Sequence, residues 1–154
     1  MIPERTIEAL TNGGIGHLGS ASADLKTAHT ETMSASMNQA KDTVTCFVLS
    51  FLAGPVLENL KATSRVSFFF GLPSHEAYQF KGQFVGTREL TADELANSER
   101  VLNLTKEFLT SMGIPAEAAE QMLGTPPDLG ITFKVEKIFI QTPGPEAGQE
   151  LPFN

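Results

Sequence analysis

An antiparallel β-barrel with a few helices on its outside is the architecture that these 154 residues favour. Three observations lead there. Six segments carry strand-like composition, most of them joined by short turn-forming stretches. The longest, 77–90, alternates Tyr78, Phe80 and Phe84 with Gln79, Lys81 and Gln83, and is interrupted by Gly82 and Gly86. Glycines inside a strand mark the bends and bulges by which a sheet curls toward closure.

The elements follow in order. Residues 3–12 read as a short helix, with Pro3 in its first turn, Ile7 and Leu10 on one face, and Gly13-Gly14 as its stop. Residues 15–23, rich in Gly, Ser and Ala around Ile15 and Leu18, read as a strand that a neighbour approaches closely. A turn over 24–26 leads to a second strand over 28–37, and a polar turn over 38–42 to a third over 43–50. The third, TVTCFVLS, has the β-branched and aromatic content of a central strand buried on both faces. Pro55 opens a helix to about Thr63, with Val56, Leu57 and Leu60 inward. Strands over 65–70 and 77–90 come next. Thr91 and Glu94 then form a capping box, a hydroxyl and a carboxylate three residues apart that satisfy each other's free amides. The helix they open extends to about Met112, with Leu95, Val101, Leu102, Phe108 and Leu109 as its apolar stripe. A short helix from Pro115 to about Leu123 follows, then the last strand over 130–141. There the inward phase slips between Val135 and Ile138, so a bulge is expected near Glu136-Lys137. The Pro-, Gly- and Glu-rich tail from Pro143 reads as loose, or laid over a partner subunit. No repeat or linker divides the chain, and residues 1–154 read as one domain.

Composition removes several function classes. The formal charge of −7 repels phosphate backbones, and no basic patch offsets it, so nucleic acid is not an expected partner. The aromatic residues, eleven Phe and one Tyr, fall mostly in strand-like runs and read as core. No apolar run reaches the length of about 20 residues that a membrane helix needs. The start, with Glu4 and Arg5, lacks the form of a signal peptide. The lone Cys46 sits in an apolar run and asks for no oxidising compartment. A cytoplasmic protein is expected.

The residues alone name no activity. His17, His29 and His75 have no helical spacing and no neighbouring cysteine, so no metal site is expected. His29 either faces a pocket or is a partly exposed strand residue. No Gly-x-Ser-x-Gly elbow occurs, and Gly13-Gly14-Ile15-Gly16 precedes a strand and not a helix, the wrong context for a phosphate loop.

One block is more informative. Residues 43–82 give a strand, a short helix, a strand opening with Arg65-Val66 and a Pro-containing hairpin. Within it stand Asn59-Leu60-Lys61-Ala62-Thr63-Ser64-Arg65-Val66 and Gln79-Phe80-Lys81-Gly82. This succession, preceded by Ala28-His29-Thr30-Glu31-Thr32, resembles the pyridoxamine 5′-phosphate oxidase-like family of FMN-binding split barrels. The resemblance implies a mainly β, six-stranded antiparallel split barrel with peripheral helices, usually a homodimer with FMN in a groove at the subunit interface. By that resemblance Thr30, Thr32 and Met33 lie along the flavin ring, Ser50 lies near the phosphate, and Lys61, Gln79 and Lys81 are further polar partners.

The chain departs from the pattern where such proteins often place a Ser-Arg-Lys-like cluster. It has Gly54-Pro55-Val56 there, with no cation for a phosphate. Two readings stay open: a flavin-dependent oxidoreductase of unknown substrate, and a non-catalytic split barrel that has lost FMN and binds another ligand or partner. A haem-handling relative using His17 or His29 is a third. Pyridoxamine phosphate oxidase activity itself is not expected, because residues 144–154 contain no basic side chain for a substrate phosphate. No catalytic acid or base stands out.

Overall fold

In the computed structural model, which describes residues 2–12 and 16–152, a single sheet curls into a half-barrel. The strands are β1 (Gly16–Ala21), β2 (Thr27–Thr32), β3 (Ser34–Met37), β4 (Thr43–Val48), β5 (Arg65–Gly71), β6 (Ala77–Arg88) and β7 (Leu129–Ile140). The helices are α1 (Glu4–Asn12), α2 (Gly54–Thr63), α3 (Ala92–Ser111) and α4 (Ala116–Leu123), with a 3-10 turn at Ser50–Leu52. The expected Gly13-Gly14 helix stop and Ile15 lie outside the described residues.

Seven strands stand where six were expected, because the second one divides. Its first half, β2, pairs with β1, and its second half, β3, pairs with β4. Between them Met33 leaves the ladder of β2, and its amide donates to the carbonyl of Phe47 (2.8 Å). The sheet order is β2-β1-β5-β6-β7-β4-β3, antiparallel throughout, so both sheet edges belong to one continuous stretch of chain.

Closure also needs curvature, which the two 12-residue strands supply. Lys81 pairs with Lys137 while Gly82 pairs with Val135, leaving Glu136 as the extra residue of a bulge. The expected slip near Glu136-Lys137 is therefore present. A second irregularity leaves Val85 unpaired between Phe84 and Gly86. Gly82 is needed at the first bulge, since a Cβ there would overlap the carbonyl oxygen of Lys134. Gly16 meets the carbonyl of Phe69 in the same way, which is the close approach expected of the first strand.

Inside the curl lies an aromatic core. Phe68 sits with ring centroids 5.9 Å from Phe70, 6.0 Å from Phe80 and 6.2 Å from Phe133, spacings at which aromatic pairs attract. Leu18, Val44, Cys46 and Ile131 fill the remainder. Helix α2 plugs the curl with Val56 and Leu60, both fully buried, and stops at Ser64, whose amide donates to Leu60 (2.8 Å) from a left-handed conformation.

Helices α3 and α4 cover the other end through a smaller apolar cluster of Met33, Leu49, Leu102 and Leu123. The expected stripe of α3 is only half used: Val101 and Leu102 are buried, whereas Leu95 and Phe108 are exposed. Polar contacts set the rotation of the helix instead. Ser98 is fully buried and its hydroxyl lies 2.6 Å from that of Ser34. Glu94 completes the capping box with Thr91, accepts from Ser36 (3.0 Å), and takes both terminal nitrogens of Arg88 (2.7 and 2.6 Å). One carboxylate thus ties the end of β6, strand β3 and the start of α3.

The tail is not loose. Strand β4 accompanies β7 only as far as Lys134, which leaves Ile138–Ile140 with an open edge. The chain turns at Pro143–Gly148 and fills it: Ile140 donates to Gln149 (3.0 Å) and Leu151 to Ile138 (2.7 Å).

The Arg88 hydrogen bonds hold the Glu94 carboxyl down to about 2, against an ordinary value of about 4.3. A depressed acid stabilises the fold above its unfolded value, and the contribution is lost as pH falls toward the folded one. Glu94→Gln is expected to cost about 2 kcal/mol at pH 7 in urea unfolding, and about half of that at pH 3. A gap that stays constant with pH would contradict this account. Gly82→Ala is expected to lower stability by more than about 2 kcal/mol, because backbone and not a flexible side chain must yield.

Candidate functional site

The outward face of the sheet carries the candidate site, and the register explains its shape. Lys81 on β6 stands opposite Ser67 on β5, Ser67 opposite Gly19 on β1, and Gly19 opposite His29 on β2. Two long side chains therefore flank two very small ones across four strands. The result is a groove of about 450 Å³, with Arg65, Ala21 and Thr27 along the adjoining row. That volume lies within the range of roughly 300–1,000 Å³ typical of small-molecule sites.

The groove is basic on an acidic protein. Among the described residues, no ion pair includes Arg65 or Lys81. Lys81 Nζ lies 4.9 Å from the centroid of the Phe139 ring, a cation–π contact that fixes the ammonium without neutralising it. Gln79 Nε2 donates to Ser67 Oγ (2.9 Å), which braces the wall between the two strands. A second cavity of about 380 Å³ lies farther along the face, lined by His17, Phe69, His75 and Gln141.

The residues singled out from sequence divide into two groups. Lys81 and His29 line the groove, and Gln79 reaches it only through its hydrogen bond to Ser67. Thr30 and Thr32 point to the core side, opposite Leu18 and Gly16. Thr32 accepts from the Gly16 amide (3.1 Å), whereas Thr30 Oγ1 has no partner among the described residues. Met33 belongs to the cluster beneath α3 and α4. Lys61 is exposed in the last turn of α2, where a cation suits the helix dipole.

Ser50 is already engaged. Its amide and its hydroxyl both donate to Asp128, at 2.7 and 2.6 Å, and these bonds hold the Asp128 carboxyl below its usual range. A carboxylate thus stands where the phosphate was expected, just before the cation-free start of α2.

Arg65 and Ser67 were missed as site residues. The signal was present in the alternation of residues 65–70, which buries Val66, Phe68 and Phe70 and so sends Arg65 and Ser67 outward. Cys46 is fully buried and burial pushes its thiol up, the opposite of what a nucleophile requires. Among the described residues, no helix is long and apolar enough to cross a membrane.

No protein-family model matches the sequence, and no curated protein sequence matches it at a significant level. Solved structures do match. HupZ of Group A Streptococcus superposes with a TM-score of 0.57 at 17% identity, over 96% of this chain and 100% of that one. An FMN-binding protein from Syntrophomonas wolfei gives 0.53 at 15% identity, over 88% of this chain and 84% of that one. A Lactobacillus delbrueckii protein, provisionally assigned as a pyridoxamine 5′-phosphate oxidase, gives 0.53 at 15% identity, over 90% and 93% of the two chains. At such identities the likeness is one of fold alone, and the fold is the split β-barrel of the pyridoxamine 5′-phosphate oxidase-like proteins.

Proposed function

We propose that the chain is a cytoplasmic flavoprotein that binds FMN in the outer-face groove and serves as a flavin-dependent oxidoreductase. The observation that carries the reading is the pair of unpartnered cations, Arg65 and Lys81, over a floor of Gly19 and Ser67. Its donor set fits the group. A guanidinium, an ammonium and a hydroxyl offer a phosphate the charge-assisted hydrogen bonds that are strongest, and small residues leave room for a flat ring against the sheet. The likeness in fold to an FMN-binding protein supports the same reading.

When bound, FMN would supply the electron-transfer chemistry, while the protein supplies position and charge. Arg65 and Lys81 would hold the phosphate, Gln79 would keep Ser67 in place, and the neighbouring cavity beside Phe69 would admit a small-molecule substrate. The exposed groove face is also the surface on which a second copy would close, so a homodimer with the groove at its interface belongs to this proposal.

A second reading has its own observation. The Ser50–Asp128 pair gives the start of α2 a negative charge and no cation, which favours a split barrel that has lost FMN and holds a different ligand.

Titration of FMN with the purified protein, followed by flavin fluorescence quenching, distinguishes them. Saturation near one FMN per chain is expected, with Arg65→Ala and Lys81→Ala each weakening it by roughly 10–100-fold, the worth of a hydrogen bond to a charged group. Lys61→Ala should leave it unchanged. Absence of saturable binding would sink the flavin reading in favour of the second. Sedimentation of the protein at micromolar concentration is expected to give a dimer, and a monomer would remove the interface groove.

A further inference from the structure

The pairing of β1 with β2 brings together two of the three histidines, which lie twelve positions apart in sequence, too far for a helical spacing. His17 stands opposite Glu31 and His29 opposite Gly19, so the two imidazoles are diagonal neighbours on the outward face. Both are exposed, and Gly19 puts no side chain beside the His29 ring. Their ring centroids are 5.9 Å apart, with the planes inclined by 60°.

That separation is compatible with a shared metal ion. A cation bound to imidazole lies about 2.0–2.1 Å from the nitrogen, which places each ring centroid about 3.2 Å from the metal. Two such rings then have centroids roughly 4.5–6.4 Å apart for ligand angles between a right angle and a straight line. One adjacent charge favours a cation. Glu31 lies on the same face directly opposite His17, and among the described residues it has no basic partner. The cations of the groove oppose a bound ion from farther off. Lys81 stands three strand spacings from His29, roughly 14 Å away. Arg65 stands two spacings away on the adjoining row, roughly 10 Å or more, and at these distances salt screens most of the repulsion.

We propose that His17 and His29 form a two-imidazole site for a divalent transition cation of the copper, nickel and zinc group. No cluster of three protein ligands forms among the described residues, so water completes the coordination. The ion would sit on the ridge between the two cavities, since His29 lines one and His17 the other. It would also staple β2, a sheet edge, to β1.

The test uses the full chain, stripped with chelator and free of flavin, titrated calorimetrically with Cu²⁺ and then with Zn²⁺. One ion per chain is expected, with Cu²⁺ bound more tightly than Zn²⁺, as the order of divalent affinities requires. His17→Asn and His29→Asn should each weaken Cu²⁺ binding by about tenfold or more, and Lys61→Ala, at an exposed position on α2, should not change it. Copper paramagnetic resonance should show hyperfine coupling to two equivalent nitrogens in the wild type and to one in either variant. At one fixed Cu²⁺ concentration the melting temperature should rise more for the wild type than for either variant. Cu²⁺ affinity unchanged in both variants, or no saturable binding in the wild type, would overturn the site. None of these readouts depends on whether the groove holds FMN.

Discussion

A half-barrel of seven strands has two edges, and each edge exposes unpaired amides and carbonyls that can capture another chain. Here both edges are made from one stretch, 27–37, bent at Met33. The bend is fixed from two directions. The Met33 amide is tied to Phe47, and its side chain is buried with Leu49, Leu102 and Leu123. Everything else follows from holding that bend. The aromatic core fills the space that it encloses, α2 plugs one opening, and α3 with α4 covers the corner where the stretch changes partner. Hydrogen bonds from Ser34 to Ser98 and from Ser36 to Glu94 fasten the outgoing half, β3, to α3.

This constraint also decides which side of each strand lines the candidate groove. Since β2 turns Thr30 and Thr32 into the core, its outward residues are His29 and Glu31. The site is therefore a property of the register across β2, β1, β5 and β6, with alternation along each strand selecting the side. A shift of one residue anywhere along that row would replace Lys81, Ser67 and Gly19 with core side chains.

Much of the architecture was legible from local signals. The alternation of residues 77–90, the Thr91 capping box, the Pro55 start of α2 and the phase slip near Glu136-Lys137 are written in short windows, and each has a local physical cause. What was not legible depends on partners distant in sequence. The division at Met33 arises because β1 and β4 lie at opposite ends of the sheet, and no window around Met33 contains either. The half-used stripe of α3 has the same origin, since Ser98 is buried by Ser34, sixty-four positions away. The tail found its place because β4 is shorter than β7, a comparison between two strands far apart in the chain. For the site, residue type and strand alternation could have named Arg65 and Ser67, but the row linking Lys81 to His29 exists only in the pairing.

The distribution of charge argues for where an anion would bind. The protein carries a formal −7, so its mean field opposes an anion everywhere. An anion site must therefore concentrate cations that the acidic residues leave free. The start of α2 does the reverse: the helix dipole there is preceded by Asp128, whose carboxylate consumes the amide and hydroxyl of Ser50. The sheet face does provide such cations, because Arg65 and Lys81 are outward residues of adjacent strands whose nearest cross-strand partners are Gln83 and Ser67, neither of them acidic. A helix N-terminus contributes partial charges amounting to about half an elementary charge, whereas this face contributes two full ones. Charge therefore ranks the sheet groove above the helix start as a candidate anion site.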